Sequence, residues 1–242
     1  MTPPNADRSD ERRSSRRFVL ALLAAAVALG AVPLILLDMT AGNAGTHPRQ
    51  QLYGFMRRPP LRVGGYSLPA VASDGASHPI TFRASARSLL LVYFGYTYCP
   101  DICPTTLANL GAALSKLPAT QRSRIAFAMV TVDPHRDTPV VLNAYLRHFL
   151  PRALALRTTN WSALKRVKHA FDASSTIGPK QPGGGYEVTH TAEVYAVDDS
   201  GTVREEWVFG VTPSELASDF RWLLGRLQTG TLNDSHSPER TS

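Results

Sequence analysis

The chain has 242 residues, of which 43% are hydrophobic and 19% charged, the composition of a globular protein with room for one domain of ordinary size. Its formal charge of +7 does not point to nucleic acid: five arginines lie in the first seventeen residues, partly offset by Asp7, Asp10 and Glu11, and no run of Lys or Arg interleaved with aromatics follows residue 40. The remaining cations read as a dispersed, solvated basic surface, and no nucleic-acid partner is expected.

A basic segment over 1–17 ends in Arg12-Arg13-Ser14-Ser15-Arg16-Arg17 and is followed by twenty uncharged residues, Phe18 to Leu37. About twenty apolar residues cross the ~30 Å hydrocarbon core, so 18–37 is expected to be a transmembrane anchor. Asp38 to Gln50 carries one strong base, Arg49. The positive-inside bias then leaves the N-terminus in the cytoplasm and everything after Leu37 on the far side. A cleaved signal peptide competes with this reading, but it wants a shorter apolar core, about 7 to 15 residues, and a cleavage site such as Gly42-Asn43-Ala44. Ser15 to Leu20 fits a twin-arginine signal only loosely. With no long transit segment ahead of the span, the expected location is a bacterial inner membrane, single pass, with the domain facing the periplasm or outer side.

Residues 38–60 are rich in Gly, Pro and polar residues without a sustained period and read as a tether; a domain follows over 61–227 and a polar tail over 228–242. Ser88 to Tyr93 and Ile125 to Val132 are apolar runs too short for helices and suit central strands buried on both faces. Between them Leu107, Leu110, Leu114 and Leu117 recur at helical spacing until Pro118, giving a strand, helix, strand unit. A second helix is announced by Thr138-Pro139 and is expected to carry Val141, Leu142, Tyr145, Leu146 and Phe149 inward. A third starts after Asn160 and is expected to bury Trp161, Leu164, Val167 and Phe171. The fourth follows the capping box Thr212-Pro213-Ser214-Glu215. Ahead of it, Glu193 to Val197 and Thr202 to Phe209 flank Asp198-Asp199-Ser200-Gly201 as a hairpin with glycine at positive φ. The predicted class is α/β, a mixed central sheet flanked by helices whose last strands are antiparallel.

Both cysteines, Cys99 and Cys103, fall in Leu89 to Leu110, where a buried strand gives way to a helix. A disulfide closing so short a loop adds only about 2 kcal/mol, over a segment already fixed at both ends. The carboxyl edge of an α/β sheet is where such folds place their sites. Free N–H groups and the helix dipole there favour thiolate over thiol, and a thiolate either attacks a disulfide or binds a soft metal. The three intervening residues exclude a thioredoxin-type C-x-x-C couple and put the sulfurs one helical turn apart, about 5 to 6 Å between Cβ atoms. Two thiolates and a third ligand suit Cu(I), whereas structural zinc asks for four. Of seven histidines, His47, His78, His148, His169 and His236 have plain surroundings, and His135 ends a strand. His190, between Gly183-Gly184-Gly185 and the last hairpin, is the best candidate for a third ligand, although an ordinary edge-strand histidine fits the position as well.

Three blocks carry a resemblance. They are Phe94 to Pro104 (FGYTYCPDICP), Thr131 to Pro139 (TVDPHRDTP), and Val188-Thr189-His190-Thr191 with Tyr195 and Asp198 behind it. Over about Leu61 to Leu227 the chain resembles the Sco (SenC) family of membrane-anchored copper chaperones. The resemblance implies a thioredoxin-like fold with an N-terminal anchor, and one copper ion on Cys99, Cys103 and His190. It also implies a copper donor protein upstream, and delivery to the dinuclear copper centre in subunit II of cytochrome c oxidase alongside reduction of that subunit's cysteines. The family commonly has Asp before the histidine and Ser after it, where this chain has Thr189 and Thr191. Loss of a carboxylate that orients the histidine costs about 10 to 100-fold in affinity unless replaced. Asp101 and Asp133 are the acids that lie close enough, in sequence or in the expected fold, to replace it. The alternative to a carrier is an extracytoplasmic thiol-disulfide oxidoreductase using Cys99 and Cys103 alone. No peroxidatic motif surrounds Cys99.

Overall fold

The computed structural model describes residues 52–233. The expected basic segment 1–17, the span 18–37, the tether up to residue 51 and the tail from residue 234 lie outside the described residues. Among the described residues no helix is long and apolar enough to cross a membrane. In chain order the elements are β1 (Ser67–Val71), β2 (Ser77–Thr81), β3 (Leu89–Gly95), α1 (Ile102–Ser115), α2 (Ala119–Arg122), β4 (Ile125–Thr131), α3 (Pro139–Phe149), β5 (Leu154–Leu156), α4 (Trp161–Ala170), β6 (Ser175–Ile177), β7 (Val188–His190), β8 (Val194–Val197), β9 (Val203–Trp207) and α5 (Pro213–Thr229), then a 3-10 turn at Thr231–Asn233.

One mixed sheet has the strand order β2-β1-β5-β4-β3-β8-β9, and β6 and β7 form a separate ribbon. Every residue of β3 is buried, as an apolar run covered on both faces requires. β3 and β4 are parallel from Leu89↔Ile125 to Gly95↔Thr131, so the loop after β3 and the turn after β4 emerge side by side. β8 runs antiparallel to β3, with Val194 opposite Tyr93. The hairpin between β8 and β9 is held by Asp198, which accepts from the Ser200 and Thr202 N–H groups at 2.9 and 3.0 Å and from Arg204 Nε at 2.5 Å. Gly201 takes φ +76° there, as expected of that glycine, and a Cβ on it would meet Gly64 Cα at 2.3 Å.

The predicted caps form. Thr138 accepts from Val141 N–H at 3.3 Å, Asn160 from Ala163 N–H at 3.0 Å, and Thr212 and Glu215 close a capping box. Two core assignments do not hold. Trp161 is 51% exposed and Val141 37% exposed, because the buried stripes of their helices are narrower, centred on Leu164 and Val167 in α4 and on Leu142 and Leu146 in α3. The segment from Tyr53 to Arg57, expected in the tether, is bonded to the sheet: Phe55 bridges Glu206, and Arg57 pairs with Glu206 at 3.0 Å and Asp172 at 2.5 Å. Asp219 Oδ2 accepts from the N–H groups of Tyr53 (2.9 Å) and Gly54 (3.1 Å) and from Trp207 Nε1 (2.9 Å). Glu205 lies against Asp219 and accepts from Gly54 N–H at 3.1 Å. Burial, with the Asp219 carboxylate beside it, pushes the Glu205 carboxyl up to about 10, so it is neutral at pH 7.

Candidate metal centre

β3 ends at Gly95, and the chain turns through Tyr96 to Asp101 into α1. Asp101 stands at the N-cap of α1 but makes no side-chain cap bond to its backbone. The sulfur of Cys99 takes that part, accepting from Cys103 N–H at 3.3 Å. Cys103, in the first turn of α1, is fully buried, and its Sγ accepts from Tyr93 Oη at 3.4 Å. A Cβ at Gly95 would meet Tyr93 Cε1 at 2.7 Å, Cys103 Sγ at 3.0 Å and Met129 Cε at 3.1 Å, so glycine here lets the sulfur sit against the strand.

His190 arrives from the β6–β7 ribbon, where it pairs with Ser175. The adjoining Thr191 holds the ribbon, donating its N–H to Ser174 O at 3.0 Å and accepting Ser174 N–H on its hydroxyl at 2.8 Å. His190 Nδ1 lies 2.8 Å from Thr191 O. A carbonyl only accepts, so Nδ1 carries a proton, which leaves Nε2 as the nitrogen turned toward the sulfurs. Nε2 is 3.3 Å from Cys103 Sγ. The rings of Tyr93 and Tyr96 meet the imidazole edge to face at 6.1 and 5.6 Å. The two sulfurs and an imidazole nitrogen all lie within 4.8 Å of one another, the one such cluster among the described residues. His135 is exposed and belongs to no such cluster, as are His78, His148 and His169.

The cysteines are both free and share one proton. Cys99 is pulled down to about 4, first by the Cys103 S–H donating to it, then by His190 and the N–H groups of Cys103 and Asp101, against the opposing effect of burial. Cys103 is pushed up by the neighbouring Cys99 thiolate and by burial. The metal-free pair is therefore a thiolate, Cys99, at the 9% exposed position, and a buried thiol, Cys103.

Neither Asp101 nor Asp133 orients the histidine. Asp101 accepts from Thr105 Oγ1 at 3.3 Å, and Asp133 pairs with Arg136 Nε and accepts from Tyr186 Oη at 2.8 Å. Thr189 is exposed on the strand face opposite His190, so this chain uses the Thr191 carbonyl instead.

The second motif serves a purpose that sequence reasoning missed. Arg136 Nη1 donates to Tyr186 O at 2.9 Å, and its guanidinium lies 3.8 Å from the Tyr186 ring centroid, 4.8 Å from Tyr98 and 5.6 Å from Tyr96. One side chain thus joins the loop bearing Cys99 to the segment leading to His190. Asp137 accepts from Thr97 Oγ1 (2.6 Å) and Thr131 Oγ1 (2.5 Å), tying the same loop to β4, and burial pushes its carboxyl up. Arg136 stood inside a quoted motif, but its distant partner Tyr186 left no mark in the spacing.

A family model described as SCO1/SenC matches residues 72–225, more than half of the chain. The SCO2-like protein of Rickettsia felis is 33% identical over 130 residues, covering 53% of this chain and 62% of that protein. The chain spans about three fifths of the length of the curated relatives it matches. Apo Sco1 of Thermus thermophilus aligns with a TM-score of 0.58 at 28% identity, covering 76% of this chain and 99% of that one. The ScoI protein of Bradyrhizobium japonicum, solved with copper bound, gives a TM-score of 0.56 at 26% identity, covering 65% and 97%.

Proposed function

The chain belongs to the SCO1/SenC family, and from that premise we propose that it is a copper carrier whose Cys99, Cys103 and His190 hold one ion for delivery to the dinuclear copper centre of cytochrome c oxidase subunit II. The observation that carries this reading is the approach of two sulfurs and one imidazole nitrogen to within 4.8 Å. Thiolates select soft Cu(I), while a structural zinc site asks for a fourth protein ligand that this cluster does not offer. The orientation of His190 agrees with the role, since the nitrogen not bonded to Thr191 faces Cys103.

The free pair holds one proton at neutral pH, so loading expels it from Cys103. Cys99 is the cysteine nearer the surface and is where an acceptor thiolate enters first; buried Cys103 releases last. The ion comes from a donor protein and leaves through shared thiolates. In this reading residues 18–37 anchor the 61–227 domain to a bacterial inner membrane, on the periplasmic or outer side, a placement taken from the sequence.

A second reading, thiol-disulfide exchange on subunit II or another partner, is supported by the pairing of a Cys99 thiolate with a protonated Cys103. The two readings part at His190. His190→Ala is expected to lose tight Cu(I) binding in a competition titration and to stall oxidase assembly in cells. Undiminished copper affinity in that variant, with exchange activity intact, would make the protein a reductase.

A further inference from the structure

The end of the sheet remote from the sulfurs collects cations. β3 and β4 begin there, the β8–β9 hairpin turns there, and α1 and α5 end there. An open cavity of about 600 Å³ at this end is walled by Arg62, Arg87, Arg204 and Arg226, with Asp198 and Asp199 as its acids. Asp198 is buried and occupied by Arg204 and the hairpin N–H groups, and Asp199 accepts the backbone N–H of Arg87 at 2.9 Å. Arg83, Arg124 and Arg221 stand at the same end, and each donates to a main-chain carbonyl, of Ser200, Arg87 and Lys116 respectively. Such bonds fix a guanidinium without neutralising it. Four arginines thus share the cavity with two carboxylates, and among the described residues Arg204 is the one of the seven in an ion pair.

We infer that this end docks on the phosphate headgroups of an anionic bilayer. The guanidinium fork matches phosphate oxygens in pairs, and each base near an anionic leaflet contributes about 1 kcal/mol. The cavity wall has no aromatic ring on which a base would stack, so phosphates presented in a plane fit better than a nucleic-acid strand. β3 spans seven residues between the two ends. At ~3.3 Å per residue, docking holds the sulfurs about 20 Å farther from the lipid than the arginines. The inference rests on the anchored reading for the nearness of a bilayer and on the arginines for the contact.

The test reconstitutes the full chain into vesicles of neutral phosphatidylcholine and into vesicles with about 30% phosphatidylglycerol, and follows phenylglyoxal modification of individual arginines by mass spectrometry. Arg62, Arg87 and Arg226 are expected to react at least about threefold more slowly on the anionic vesicles, with the difference lost near ~0.5 M salt. Arg157, at the sulfur end of the sheet, where its guanidinium donates to the carbonyls of Asp137 and Pro134, serves as the unaffected control. Arg87→Glu should restore reaction at Arg62 and Arg226. Equal rates on both vesicles overturn the inference, as does protection by a duplex oligonucleotide or by inorganic phosphate alone at concentrations where vesicles give none. Flotation with neutral vesicles reads the anchor separately, so failure of the span and failure of the basic face are told apart.

Discussion

His190 Nδ1 donates to the carbonyl of its own neighbour, Thr191, at 2.8 Å. A bond so local is set by backbone geometry and needs no side chain at position 189. Thr189→Asp places a carboxylate on the far face of β7 and is expected to change Cu(I) affinity by less than about threefold, measured by competition with a chromophoric chelator. A gain of about 10 to 100-fold, the amount an orienting carboxylate supplies, would show that the ribbon rotates to use it.

Arg136 joins the two halves of the site through Tyr98 and Tyr186. Replacing it with Gln removes the stacked cation and the bond to the Tyr186 carbonyl while the three ligands remain. Copper release to a chelator is expected to quicken about 10-fold, the scale on which groups supporting ligands act. Arg136→Lys, which keeps charge without the planar fork, should recover part of the loss. Identical release rates in all three proteins would reduce Arg136 to a surface cation.

With Cys99 held near 4, its thiolate persists as pH falls until that value and protonates below it. Alkylation of the metal-free protein by iodoacetamide should therefore proceed at Cys99 with a nearly flat rate between about pH 5.5 and 7.5, where an ordinary thiol of pKa about 8.5 loses roughly 100-fold. Cys103, fully buried and protonated, should stay unmodified. A rate falling tenfold per pH unit across that window would contradict the shared proton.

Glu205 has its folded carboxyl near 10, above the usual carboxylate range. Its neutral form is the one the fold accepts, so stability is fullest below the unfolded value and declines as pH rises from about 4.5 toward 10. Unfolding free energy should fall by at least about 1 kcal/mol between pH 5 and pH 9. Glu205→Gln mimics the neutral acid, and denaturant titrations of that variant should lose most of this slope. An unchanged slope would place the proton elsewhere.

The long elements were legible because their causes are local. Runs of buried residues mark β3 and β4, and a capping residue followed by proline marks α3 and α5. β5, β6 and β7, of three residues each, are too short to show a period, and the β1–β2 hairpin carries Pro69 and Pro79 opposite one another, which hides it. The candidate ligands were legible as residue types at a turn, but the third was singled out only by resemblance, because nothing at His190 reports that its ribbon brings it to Cys103. The surroundings were not legible. Tyr93 reads as one more apolar residue of a buried strand, and the arginines that gather at one end come from five separate segments of the chain.

Tyr53 and Gly54 are held by Asp219 of α5, and Phe55 by Glu206 at the β9 edge. A pull on the chain at Tyr53 is therefore borne along that edge, with the bonds between Phe55 and β9 loaded in shear. β3 lies two strands inward, beyond β8. The load path bypasses the turn that carries Cys99 and Cys103, so a force applied at Tyr53 leaves the spacing of the two sulfurs unchanged.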